Sequence, residues 1–222
     1  MNKTVELVNE WAAFEERHSS GSVEDFCRYY LIQKREERNN NQLFNGVMVP
    51  PRPDLALLKL MGRIMGFYSV YADEAAKSLG LKRPWEFYFL NFIAQFGNPR
   101  KTEVIYQHVC ELSTGLSILE TLKSNGFIEE KEDPDDKRSR RVSITAAGTE
   151  LLFRCYQKFG QVGEILFGEV SPEDLQLCIQ LIQSVDARHA DIWQQYKGKP
   201  FDETYASFNG KLKIENGKDK SK

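Results

Sequence analysis

Cysteine is scarce and scattered in this 222-residue chain: Cys27, Cys110, Cys155 and Cys178 form no Cys-x-x-Cys pair, so neither a zinc site nor a redox couple is expected. Free cysteines usually sit reduced in the core. The alternative is an oxidation sensor, which needs a thiolate made acidic by nearby cations, and Cys110 is its candidate. His18, His108 and His189 lack ligand spacing, which argues against metal or catalytic roles. No stretch approaches the roughly 18 uninterrupted apolar residues of a membrane span. Glu6, Glu10, Glu15, Glu16 and Arg17 interrupt the apolar run that a secretory signal would need. A soluble protein in the cytoplasm is therefore expected, with no membrane partner. Paired carboxylates, a nucleophile and base at usable spacing, and a Gly-rich phosphate loop are all missing, so neither an enzyme nor a cofactor is expected.

An excess of positive charge is missing as well. Lys and Arg total 30 against 32 Asp and Glu, for a formal net charge of −2. Even from Arg100 to Thr145, eight cations face nine acids. Attraction to a nucleic acid must then be focused at a few points.

What is present is one informative run, Asp133-Pro134-Asp135-Asp136-Lys137-Arg138-Ser139-Arg140-Arg141-Val142-Ser143-Ile144-Thr145, followed by Gly148. It joins turn-forming acids, four cations and an alternating strand, and it follows the strand-like Phe127-Ile128-Glu129-Glu130-Lys131. This is the layout of a β-hairpin with a long basic tip, an arm able to reach along a DNA backbone or into a minor groove. The bland alternative is a solvated tip whose cations balance Asp133, Asp135 and Asp136.

Hydrophobic residues make up 41% of the chain, enough for a substantial core. Two short helices are expected at about 2–17 and 23–38, the second with Ser22 as N-cap and Asp25 three residues on. A break at Asn39-Asn40-Asn41 and an extended Pro50-Pro51-Arg52-Pro53 linker follow. Asp54 opens a long amphipathic helix, with Leu58, Met61, Met65, Tyr68, Ala72, Ala75 and Leu79 at spacings of three and four, ended by Gly80. Next come an aromatic-rich helix, Trp85 to Phe96, and two short ones: Lys101 to Val109, then Ser113 to Asn125 with Leu116, Leu119 and Leu122 inward and Gly126 as terminator. After the hairpin, Thr145 is placed to cap a helix from Ala146 to about Phe167. Ser171-Pro172-Glu173-Asp174 starts a last one, running to about Gln195 with Leu175, Cys178, Ile179, Ile182 and Val185 on its apolar face. Residues 197–222 read as a flexible tail.

Two short helices, a strand, a charged loop, a second strand and a long helix make the order of a winged helix-turn-helix. In that module the second short helix fits the roughly 12 Å wide major groove while the hairpin straddles the neighbouring backbone. The fold class expected is mainly α with a small β-hairpin wing.

Over about residues 54 to 190 the chain resembles the MarR family of bacterial transcriptional regulators. The resemblance is carried by the wing, Asp133 to Ser139 with Val142-Ser143-Ile144-Thr145 and Gly148, and by Leu122-Lys123-Ser124-Asn125-Gly126-Phe127-Ile128. It implies a homodimer held by helices at 53–80 and 146–196, and a winged DNA-binding region at 81–145 that reads a pseudo-palindromic operator on double-stranded DNA. It places Ser113, Thr114, Gly115 and Ser117 where the recognition helix meets DNA, Arg138 at the wing-tip arginine, and Asp136 as the acid that organises the tip by pairing with arginines. Lys123, Lys137, Arg140 and Arg141 are further candidates for phosphate contact.

Many relatives carry a cation in the exposed first turns of that helix, where this chain has Ser117 after Gly115. Short side chains cannot span to guanine as arginine can, so the wing is expected to bear an unusual share of affinity. Phe67, Tyr68, Tyr71, Trp85 and Tyr88 are either plain core or the lining of a pocket for a small aromatic effector, as in many relatives. The extension 1–52 lies outside the family pattern and is expected to enlarge the dimer interface or cover a pocket. The reading expected is a dimeric DNA-binding transcriptional regulator, a repressor by promoter occlusion. The rival is a winged-helix protein-interaction module without DNA binding, favoured by the near-neutral local charge.

Overall fold

The computed structural model describes residues 2–38, 44, 47–48 and 50–208. The expected break at Asn39-Asn40-Asn41 and the end of the tail, 209–222, lie outside them. Two compact units divide the chain, Met1–Ile64 and Met65–Lys222, so the boundary falls inside a helix rather than at the Pro-rich linker.

In the first unit, α1 (Lys3–Arg17) and α2 (Val23–Arg38) form a helical hairpin. Asn2 caps α1, accepting from the Thr4 N–H at 3.0 Å. At the start of α2, Ser22 and Asp25 exchange bonds: the Ser22 N–H donates to Asp25 at 2.9 Å and the Asp25 N–H donates to Ser22 Oγ at 3.1 Å. Phe14 and Phe26 are buried, and the Trp11 ring meets Phe26 edge-on at 5.0 Å. Small residues fill where rings would clash, since a Cβ on Gly21 would lie 2.7 Å from Phe14.

Helix α3 (Pro53–Ser78) leads into the second unit, followed by α4 (Trp85–Phe96), α5 (Lys101–Gln107), α6 (Leu112–Ser124), strands β1 (Ile128–Glu132) and β2 (Arg140–Ile144), then α7 (Ala146–Phe167), α8 (Pro172–Ala190) and α9 (Trp193–Tyr196). Among the described residues none of the helices is long and apolar enough to cross a membrane. The core gathers Phe89, Leu90 and Ile93 of α4, Val104 and Ile105 of α5, and Ile118, Leu119 and Leu122 of α6. Ile128 and Val142 of the strands and Leu151, Leu152 and Cys155 of α7 complete it.

The long helices differ from expectation in what they bury. On α3 only Ala72, Ala75 and Ala76 are buried, while Leu58, Met61 and Met65 are exposed. Helix α8 buries no residue, and Ile179, Ile182 and Val185 of its apolar face are exposed. Cys155 is core, Cys110 is half-buried, and Cys27 and Cys178 are exposed rather than interior. Residues 201–208, expected within a flexible tail, are helical, and Phe208 meets Tyr196 at 4.9 Å and His189 at 5.8 Å. A cluster of three aromatic rings outweighs the polar residues around it.

Candidate nucleic-acid interface

The hairpin forms because its ends are pinned by residues that allow very close approach. Ile128 pairs with Ile144 and Glu132 with Arg140 in an antiparallel register. At the base, Thr145 Oγ1 accepts from the Gly148 N–H at 3.0 Å, capping α7. A Cβ on Gly148 would lie 2.1 Å from the Phe127 carbonyl oxygen, so only glycine lets α7 leave directly beneath the strands. Gly126, at φ +76°, ends α6 and turns the chain into β1.

A third segment braces β2. The Val142 N–H donates to the Pro99 carbonyl at 3.0 Å, and Arg100 bridges Arg141 across the backbone. Side chains reinforce this bridge. Asp133, only 1% exposed, accepts from Arg100 Nε and lies 3.2 Å from Arg141 Nε. Its other oxygen accepts from the Asp135 N–H at 2.9 Å. That backbone bond first, then Arg100 and Arg141, hold the Asp133 carboxyl at about 2, well below the usual carboxylate range.

The outer tip is organised separately. Asp136 accepts from Ser139 Oγ at 2.7 Å and from the Arg138 N–H at 3.0 Å, and these two bonds lower its carboxyl pKa. Asp136 bonds within the tip through the Arg138 backbone and a serine, where pairing with arginines was expected. The acid that pairs with arginines is Asp133, buried where two guanidinium groups converge.

The expected DNA-facing cations fall into distinct groups. Lys137 and Arg138 are exposed at the tip and, among the described residues, their side chains have no ion pair. Arg140 is exposed but pairs with Glu132 at 3.0 Å. Arg141 turns inward, donating to the Asn98 carbonyl at 3.0 Å beside Asp133, so its guanidinium braces the wing instead of standing free for phosphate. Lys123 donates to Glu130 at 3.0 Å, with Lys101 at 3.5 Å from the same carboxylate. Burial works against the Glu130 charge, but Lys123 and Lys101 outweigh it and lower its pKa.

On α6, Ser113, Thr114 and Ser117 are exposed, as a groove-reading face requires. Gly115 is not on that face. It is buried against α5, where a Cβ would lie 2.5 Å from Ile105 Cγ1, so its smallness serves helix packing rather than backbone approach to DNA. Leu116, expected inward, is 40% exposed, while Ile118 fills the core position. The exposed face thus runs Ser113, Leu116, Ser117, Glu120, at helical spacings of three, four and seven from Ser113. Leu116 and Glu120 share this face, although by residue type an apolar side chain reads as core and an acid as solvated. Their shared spacing with Ser113 was the available signal.

The residues expected either as plain core or as an effector lining lie partly together. Tyr68 and Tyr88 share a hydroxyl hydrogen bond, and the Trp85 ring meets Tyr88 edge-on at 6.3 Å. Burial chiefly, with that bond, pushes the Tyr68 phenol up. Phe67, Tyr71 and Trp85 are exposed. A cavity of about 570 Å³ lies elsewhere, bordered by Phe92, Phe96, Tyr106, Arg141 and Trp193. Burial raises the Cys110 thiol pKa, opposite to what an oxidant-sensing thiolate needs. Among the described residues, no three His, Cys, Asp or Glu side chains cluster to hold a metal ion.

Residues 85–148, which hold α4 to the start of α7, match the family model of the winged helix DNA-binding domain. The fold is a winged helix of the MarR type. The fold is shared with a MarR variant from E. coli complexed with operator DNA, at a TM-score of 0.54 and 21% identity, covering 60% of this chain and 94% of that one. It is shared equally with Bordetella bronchiseptica BpsR, a protein whose DNA binding is regulated by 6-hydroxynicotinic acid, at a TM-score of 0.54 and 18% identity over 59% of this chain and 98% of that one. In sequence, the chain is 27% identical over 128 residues to the uncharacterized HTH-type transcriptional regulator YkoM of Bacillus subtilis (strain 168), covering 57% of this chain and 82% of that protein. In the order of that fold, α6 takes the place of the second helix of the helix-turn-helix and the β1–β2 hairpin that of the wing.

Proposed function

We propose that this chain is a dimeric transcriptional regulator that binds double-stranded DNA at a pseudo-palindromic operator in the cytoplasm, acting by binding rather than catalysis. The observation that carries the reading is the wing: a tip ordered by Asp136, braced at its base by Asp133, Arg100 and Arg141, and presenting Lys137 and Arg138 exposed and, among the described residues, without an ion pair. Phosphate contacts come from Lys137 and Arg138, with Arg140 and Lys123 joining by exchanging a carboxylate for a phosphate. Ser113, Thr114, Leu116, Ser117 and Glu120 face the base edges.

Dimerisation through 53–80 and 146–196 is supported by the apolar side chains those helices leave exposed, among them Phe67 and Val70 of α3, Phe153 and Ile165 of α7, and Ile179 and Val185 of α8. An effector of small aromatic type is the natural ligand for the Tyr68, Trp85 and Tyr88 group, by analogy with the ligand-regulated neighbour BpsR.

Selection of bound fragments from genomic DNA, followed by a salt titration, tests the reading. Each phosphate contact contributes about −0.9 to the slope of log K against log salt. Replacing Lys137 or Arg138 by Ala should reduce the slope by about one unit each, weakening cognate and unrelated DNA alike. Arg141→Ala should instead loosen the wing without a comparable change in slope. Retention of no fragment, with affinity independent of salt, sinks the proposal in favour of a protein-interaction module.

A further inference from the structure

The turn between α5 and α6 contains an unusual backbone. Val109 sits at φ +51°, in the left-handed region that a β-branched residue adopts only where its surroundings hold it. It is 61% exposed, so its own side chain is not buried in a way that could hold it there.

Short helix α9 spans this turn from outside. On one side of Val109, the Trp193 ring meets Tyr106 edge-on at 6.3 Å. On the other, Lys197 Nζ lies 2.9 Å from Glu111 Oε2, and Glu111 is the residue on which α6 begins. The two contacts form one unit, since the Lys197 N–H donates to the Trp193 carbonyl at 3.1 Å and its ammonium lies 5.5 Å from the Trp193 ring. Between these ends, Trp193 and Gln194 border a cavity together with Tyr106 and Gln107. The ion pair joins a half-buried lysine to an exposed carboxylate and is weak by itself. The aromatic contact supplies most of the hold, and the charge pair sets where α9 lies along the turn.

We propose that Trp193 and Lys197 are positioning residues, and that α9 is a clasp holding the α5–α6 turn in its strained form and so fixing the angle at which α6 enters the groove. The second half of the proposal rests on the DNA-binding reading; the first does not. Amide hydrogen exchange of residues 108–111 in the full-length protein, without DNA, reads the clasp directly. Trp193→Ala should speed exchange at Val109 and Cys110 by about twofold to tenfold, the factor an aromatic pair is worth. Lys197→Ala should give a smaller rise that Lys197→Arg reverses, while amides of α4 such as Leu90 and Ile93 keep their protection. Unchanged exchange at the turn, or a rise spread evenly over the domain, overturns the clasp.

Against DNA, Trp193→Ala should lower the ratio of affinity for selected over unrelated fragments severalfold and leave the salt slope intact. A slope reduced by about one in Lys197→Ala would make Lys197 a phosphate ligand and overturn its positioning role. If the wild-type protein binds no DNA, the functional reading fails while the exchange result still decides the clasp.

Discussion

Asp133 and Arg141 are joined across the base of the wing, with Asp133 Oδ2 lying 3.2 Å from Arg141 Nε in a position closed to solvent. One residue opens the wing loop and the other belongs to the returning strand, and Arg100, which precedes α5, bonds the same carboxylate. The wing is thereby tied to the helix-turn-helix by charge as well as by backbone. Loss of this carboxylate leaves two guanidinium groups facing each other with nothing between them.

The acid titration of the wing follows from that arrangement. The folded-state pKa of Asp133 is lowered to about 2 from an ordinary 3.8. Its contribution to stability is complete above the ordinary value and is lost as pH falls from about 3.8 towards 2. Wing amides followed by NMR should lose protection across this window in the wild type. Asp133→Asn should show the loosened wing already at neutral pH, together with a severalfold weaker DNA affinity. Equal wing protection in the mutant at pH 7 would refute the role given to this carboxylate.

Two glycines should tolerate a methyl group very differently. At Gly115 the new Cβ meets the buried Ile105 side chain at 2.5 Å beside its branch point, so the side chain must repack while the backbone can stay. At Gly148 it meets the Phe127 carbonyl oxygen at 2.1 Å, and the backbone there is held by the hydrogen bond from Thr145 N–H at 3.0 Å. Gly115→Ala should cost about 1–3 kcal/mol in urea denaturation, and Gly148→Ala the upper end of that range or more. Shortening Ile105 to Ala should give Gly115→Ala its space back, visible as non-additivity in the double mutant. The reverse ranking of the two single mutants would contradict the packing described.

Leu116 should read thymine. It is an exposed apolar side chain between Ser113 and Ser117 on the outward face of α6, and apolar contact with a thymine 5-methyl group is a recognised form of base reading. Replacing individual thymines of the selected operator by uracil removes only that methyl. At one position in each half-site the wild type should lose about 1 kcal/mol of affinity, while Leu116→Ala loses nothing further. Loss of affinity in both proteins alike would place the methyl contact elsewhere.

Much of the framework was legible in the primary structure because its signals are local. Thr145, Gly126, Ser171 and Gly148 act within one turn of where they stand, so caps, terminators and the close exit of α7 follow from short stretches of chain. Hydrophobic periodicity located α4, α6 and α7, and the turn acids and cations located the wing. The fold class followed from the order of those elements.

What only the tertiary structure decided are relationships between residues distant in the chain. Four neighbouring cations look alike in sequence, yet Arg141 turns inward because Asp133 and the Asn98 carbonyl meet it there, while Lys137 and Arg138 are exposed and make no ion pair among the described residues. Gly115 looked suited to close approach to DNA, but Ile105 occupies the space beside it. Leu116 looked like core, but the 3.6-residue repeat gave Ile118 and Leu119 that place. The hold of α9 on the Val109 turn joins positions more than eighty residues apart in sequence, and a chain's composition carries no record of which of its distant parts will touch.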